Sequence, residues 1–225
     1  MLGLLMTRAE SQRIIAWEGD ATPDATPDVH RTYNSGMQAE EFLTSVETRL
    51  KDHIKRGKAA AEPLTREQLN WTPDPARWSV AQIFEHMMLA NERYLLPVKD
   101  ALDKSEKRVR SDVKYTRFGK FLIKNAGPEG NAPAPKPLHP KPGFYSNEVI
   151  EKWALQTEDF VDLAKSAHGH DLCSVRFPNP FLAIFKMNLA DSFEILTVHT
   201  ERHVRQIEAM AQRAKAALKE TAAPA

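Results

Sequence analysis

A single cysteine, Cys173, in 225 residues excludes an intramolecular disulfide and any zinc site built from several thiolates. No apolar run approaches the roughly 20 residues that cross a bilayer. The opening MLGLLMTRAE places five apolar residues before its first charge and lacks the longer apolar region of a signal peptide. The expectation is a chain without a membrane span, in keeping with a reducing cytoplasm. Charge of one sign is missing too: 31 Lys+Arg against 30 Asp+Glu leave a net charge of +1, so no surplus draws in nucleic acid or an anionic membrane. No helix-turn-helix is recognisable, and no strand-like alternation of useful length occurs.

What is present is helical periodicity. Residues 1–36 carry an Ala-Thr-Pro-Asp duplication and no sustained apolar period, the composition of a disordered or loosely attached tail. Met37 then opens a segment in which Phe42, Val46, Leu50 and Ile54 recur every four residues, an amphipathic first helix ending near Gly57. Met37 is also a candidate start of translation. After the Pro- and Asp-rich EPLTREQLNWTPDPARW, Ser79 with Gln82 three residues on forms a capping box for a second helix from about Val80 to Lys104. Pro97 marks a kink or an early stop in it. Residues 105–145, basic and then Pro-rich, are too long for a tight turn and read as a crossover along a bundle. Ser146 is expected to cap a third helix carrying Val149, Trp153, Phe160 and Leu163, with Gly169 just beyond its end. Asn188 can cap a fourth, from about Leu189 to Lys215. The expected fold is all-α, a four-helix bundle with long crossover connections over residues 37–216, followed by a tail at 217–225.

On the fourth helix, LTVHTERHVRQIEAM places His199 and His203 one turn apart inside the core stripe, on one face with Leu196, Gln206, Ile207 and Met210. The spacing is that of zinc-peptidase histidines, but the nearby acid, Glu201, lies about 200° round the helix from His199 and cannot act as base at an ion held by the pair. Two imidazoles do not complete a divalent site, and a facing helix must supply another ligand. His86, on the flank of the second helix's stripe, is the natural third. Gln206, one turn beyond His203, is placed to orient an imidazole or a bound water. The competing reading is that these are core histidines hydrogen-bonded within the protein, which suits His86 taken alone better than the 199/203 pair. His168, His170, His30, His53 and His139 read as solvated or unassigned. Cys173 has no adjacent group to lower its pKa. Trp71, Trp78 and Trp153 read as packing anchors.

WTPDPARWSVAQIFEHMMLANERYL followed much later by HTERHVRQIEAM resembles the DinB-like (YfiT-like) superfamily of small bacterial four-helix proteins. The resemblance implies His86, His199 and His203 as ligands of a divalent metal, with zinc, nickel and iron all compatible with three imidazoles. It further implies a metal-dependent enzyme, either an S-transferase that uses a low-molecular-weight thiol such as bacillithiol or mycothiol, or a related hydrolase, acting on an electrophilic small molecule. The alternative is a non-catalytic, stress-associated metal-binding bundle acting as a homodimer.

Overall fold

The computed structural model describes residues 37–107, 112–131 and 133–220; the expectations for the N-terminal tail and for His30 lie outside the described residues. Six helices, α1 (Ala39–Ala61), α2 (Arg66–Asn70), α3 (Val80–Asp103), α4 (Arg117–Ala126), α5 (Glu148–Ser166) and α6 (Leu189–Glu220), account for most of the structure. A 3-10 turn at Lys136–Leu138 and a two-stranded antiparallel pair, β1 (Phe177–Pro178) and β2 (Lys186–Met187), complete it.

The bundle consists of α1, α3, α5 and α6, with α1 and α3 each packed against both α5 and α6. Cross-helix pairs fix the directions. Arg49 meets Glu194 and Arg56 meets Glu208, so α1 and α6 run parallel. Lys58 meets Glu151 whereas His168 meets Glu47, so α1 and α5 are antiparallel. His86 faces His199 and His203 while Tyr94, further along α3, lies near Asp191 towards the start of α6, so these two helices are antiparallel. Consequently α3 and α5 are parallel neighbours, and the chain must return along the bundle between them. That is the physical reason for the long crossover.

The capping box of α3 is complete: Ser79 Oγ accepts from Gln82 N–H at 3.3 Å and Gln82 Oε1 accepts from Ser79 N–H at 3.0 Å. Pro97 neither stops nor shortens the helix, because Tyr94, Val98, Ala101 and Leu102 around it are all buried against the bundle and that burial outweighs one missing hydrogen bond. Asn188 caps α6 as expected, its Oδ1 accepting from Asp191 N–H at 2.9 Å, and α6 continues past Lys215. Ser146 does not cap α5; the cap position falls on Asn147, without a side-chain hydrogen bond.

Helix α1 runs four residues beyond Gly57. The indole of Trp153 lies over this glycine, where a Cβ would come within 2.7 Å of the ring, so Gly57 is a packing residue and not a terminator. Two helices stand where connectors were expected. Helix α2 has its own capping box, Thr65 with Gln68, and Thr116 caps α4 by accepting from Gly119 N–H at 2.8 Å.

The apolar core divides in two. One cluster gathers Phe42, Leu50, Val98, Phe160 and Phe193, the other Phe84, Trp153, Ile207 and Met210. Between them on α6 lie His199 and His203, level with the buried polar residues His53 and His86 from the facing helices. A polar layer at mid-bundle must have its hydrogen bonds or charges satisfied internally.

Candidate metal centre

The geometry of α3 and α6 brings His86, His199 and His203 together. Their Nε2 atoms lie 3.2 Å (86 to 199), 3.1 Å (86 to 203) and 3.1 Å (199 to 203) apart. The outer nitrogens of two of the rings are already committed. His86 Nδ1 is 2.8 Å from the Leu138 carbonyl, which can only accept, so the proton sits on Nδ1 and the Nε2 lone pair faces inward. His203 Nδ1 likewise donates to Gln206 Oε1 at 2.7 Å. At most one N–H, on His199 Nε2, can face the two lone pairs of His86 and His203; with the His199 proton on Nδ1, three lone pairs converge. Such a donor set fits a cation and is costly without one.

His86 and His203 are buried, while His199 is partly accessible. Burial pushes the His86 imidazole down to about 4 against the smaller opposing effect of the Leu138 carbonyl, with the Arg202 and His139 charges pushing the same way as burial. His199 and His203 are held well below the ordinary histidine range, first by burial and then by their neighbouring imidazoles and Arg202. The neutral ring is the form that can ligate a metal.

A family model described as the DinB superfamily matches residues 49–207. The chain belongs to the DinB superfamily. No curated protein and no solved structure matches it.

The histidine cluster of this DinB-superfamily chain lies at the wall of a cavity of about 370 Å³. The second element of the wall is α4, through Phe121, Leu122, Asn125 and Ala126. The third is the turn between β1 and β2, where Asn179 Oδ1 accepts from Phe181 and Leu182 N–H at 3.0 Å each and so sets both apolar side chains at the cavity. Trp78 also lines it, with its ring centroid 4.7 Å from that of His86; it borders the site as well as packing. Among the described residues no Asp or Glu lines the cavity, whereas Arg77 and Arg202 do. The sequence reading missed Arg202 even though H-x-x-R-H carries the signal, since a residue three places after His199 lies only about 60° from it around the helix.

The remaining histidines and acids serve elsewhere. Glu201 is turned away from the imidazoles, as helix geometry requires, but towards α1 and not to solvent. It accepts from Arg56 at 2.7 Å, His53 at 2.9 Å and Arg205 at 2.5 Å. His53, unassigned from the sequence, is therefore buried and paired. Glu194, a conceivable base for the site, is buried against Arg49 instead, at 3.0 and 2.5 Å. His168 bridges Glu40 and Glu47, and His170 bonds Ser105.

Burial alone raises the Glu201 pKa, but hydrogen bonds from His53 and Arg205 and the charges of His53 and Arg56 outweigh it, holding the carboxyl far below its ordinary 4.5. A depressed folded-state pKa means stability that is present above about pH 4.5 and is lost as pH falls toward the folded value. Glu201→Gln is expected to cost about 2 kcal/mol at pH 7, part of the penalty for orphaning a half-buried ion pair. The gap to wild type should narrow near pH 3 in urea denaturation. A gap of the same size at both pH values would exclude the ionised carboxylate as its source.

Proposed function

We propose that this chain is a metal-dependent enzyme in which His86, His199 and His203 ligate one divalent ion, and that it transfers a low-molecular-weight thiol to an electrophilic small molecule, hydrolysis being the related reaction. The observation carrying the reading is the convergence of three inward-facing Nε2 atoms beside an apolar cavity. A divalent ion there would lower the pKa of a bound thiol or water toward neutrality.

The chain's own residues support thiol chemistry over hydrolysis. Leu138 and Gln206 fix the orientation of two imidazoles, and Phe181, Leu182 and Leu122 keep the wall apolar. No cavity-lining carboxylate among the described residues can take a proton from water, whereas a thiolate, once formed, needs no such base. In the overall change a sulfur–carbon bond forms and the displaced group leaves with the thiol proton.

The test is consumption of a small thiol by the metal-loaded protein in the presence of an alkyl or aryl halide. A rate at least tenfold above that of His203→Ala is expected, and equal rates would sink the reading. The alternative, a non-catalytic bundle acting as a dimer, draws on the exposure of Leu96 and Leu155 on the parallel neighbours α3 and α5, 63% and 66% accessible. That alternative predicts a large loss of thermal stability on chelation and no thiol consumption.

A further inference from the structure

Arg202 lies half-buried beside the cavity, one turn from His199 on α6. Among the described residues its one hydrogen bond is a long one, from Nη1 to the carbonyl of Asn125 at 3.3 Å, and no carboxylate pairs with it. The contrast with the α1 interface is informative. There Arg49 and Arg56 each meet carboxylates, Glu194 for the first and Glu201 with Glu208 for the second. A guanidinium held in apolar surroundings without a counter-charge is an incomplete ion pair. The Arg202 contact also continues toward solvent. Asn125 lies one turn after Phe121 on α4, and Phe121 is 59% exposed, as is Leu182 at 48%; both line the cavity. The cavity therefore joins a half-buried cation to an apolar lip.

We propose that Arg202 is a specificity-determining residue that pairs with a carboxylate on an otherwise apolar small molecule, whose hydrocarbon part lies along Leu122 and Phe181 and leaves past Phe121 and Leu182. The planar guanidinium suits the two oxygens of a carboxylate, and the described residues of the surrounding wall offer no competing negative charge. This inference names the ligand class of the proposed enzyme site and rests on that reading only for its role in turnover; the pairing itself is a binding property.

The test uses full-length protein, metal-free and metal-loaded, with octanoate, octanamide and octan-1-ol as probes in calorimetric titration. Octanoate should bind metal-free protein at least about tenfold more tightly than the two uncharged probes, the difference a charge-assisted bond supplies. Arg202→Gln should bring the three within about threefold of one another, and Arg202→Lys should keep part of the preference. Equal binding of the three probes to wild type would overturn the proposal without requiring any variant to fold. So would a carboxylate preference confined to metal-loaded protein, because the ion would then be the anion site. Displacement of octanoate by 3-mercaptopropionate but not by 2-mercaptoethanol would support a carboxylate carried on the thiol. Displacement by neither would support one carried on the electrophile. If thiol consumption fails while the octanoate preference holds, the enzyme reading fails and the carboxylate site stands.

Discussion

His86→Ala is expected to strip the protein of metal. Wild type purified without a metal-affinity column should carry about one divalent ion per chain by elemental analysis, and the variant less than about a tenth of that. The reasoning starts from α3. The Ser79 cap fixes where the helix begins, and His86 follows in its second turn, on the side facing α6. Leu138, reached through the crossover, fixes its tautomer from behind. Loss of an outer partner of a ligating histidine typically costs 10–100-fold in affinity, so removal of a ligand itself must cost more. Gln206→Leu supplies that smaller comparison, since it removes only the acceptor behind His203. The expected order of metal retention is wild type, then Gln206→Leu, then His86→Ala. Full occupancy in His86→Ala would show that the third ligand lies elsewhere.

Much of this site was legible because the periodicity of α6 and a four-residue histidine spacing are local facts. The same helix wheel that places His199 and His203 together turns Glu201 away. What Glu201 meets on the far side depends on α1, and no local pattern announces that His53 and Arg56 will stand there. The fold divides along the same line. Helix α3 was read from its capping box; α2 was not, although its T-R-E-Q at 65–68 carries the same signature, because it sits in a short segment among prolines and aspartates. Helix α4 was hidden because its ten residues make too short a run for periodicity to declare itself. Gly57 did not end its helix and Pro97 brought no early stop, for a shared reason. Each is a helix breaker by intrinsic propensity, and each is overridden by tertiary packing, the first by the Trp153 ring and the second by buried neighbours on both sides.

Gly119→Ala is expected to be strongly damaging, costing about 3 kcal/mol or more in urea denaturation. An alanine Cβ at this position would stand 1.9 Å from Asp191 Oδ1 and 2.2 Å from its Cγ. The carboxylate cannot step aside. Its Oδ1 accepts from Thr116 N–H at 2.9 Å and its Oδ2 from Asn188 N–H at 3.1 Å, and the residue is fully buried. Asp191 thus ties the first turn of α4 to the first turn of α6, and Gly119 is the gap that lets the two helices approach. Relief of the clash would have to displace α4, and with it Phe121, Leu122 and Asn125 from the cavity wall. The variant should therefore lose octanoate affinity while keeping its metal, since the three histidines lie on α3 and α6. A double-mutant cycle separates collision from other effects of alanine. Asp191→Ala is itself costly because it orphans buried donors, but adding Gly119→Ala to it should cost less than about 1 kcal/mol more, the carboxylate in the way having gone. If the two losses simply add, the contact with Asp191 is not what requires glycine at this position.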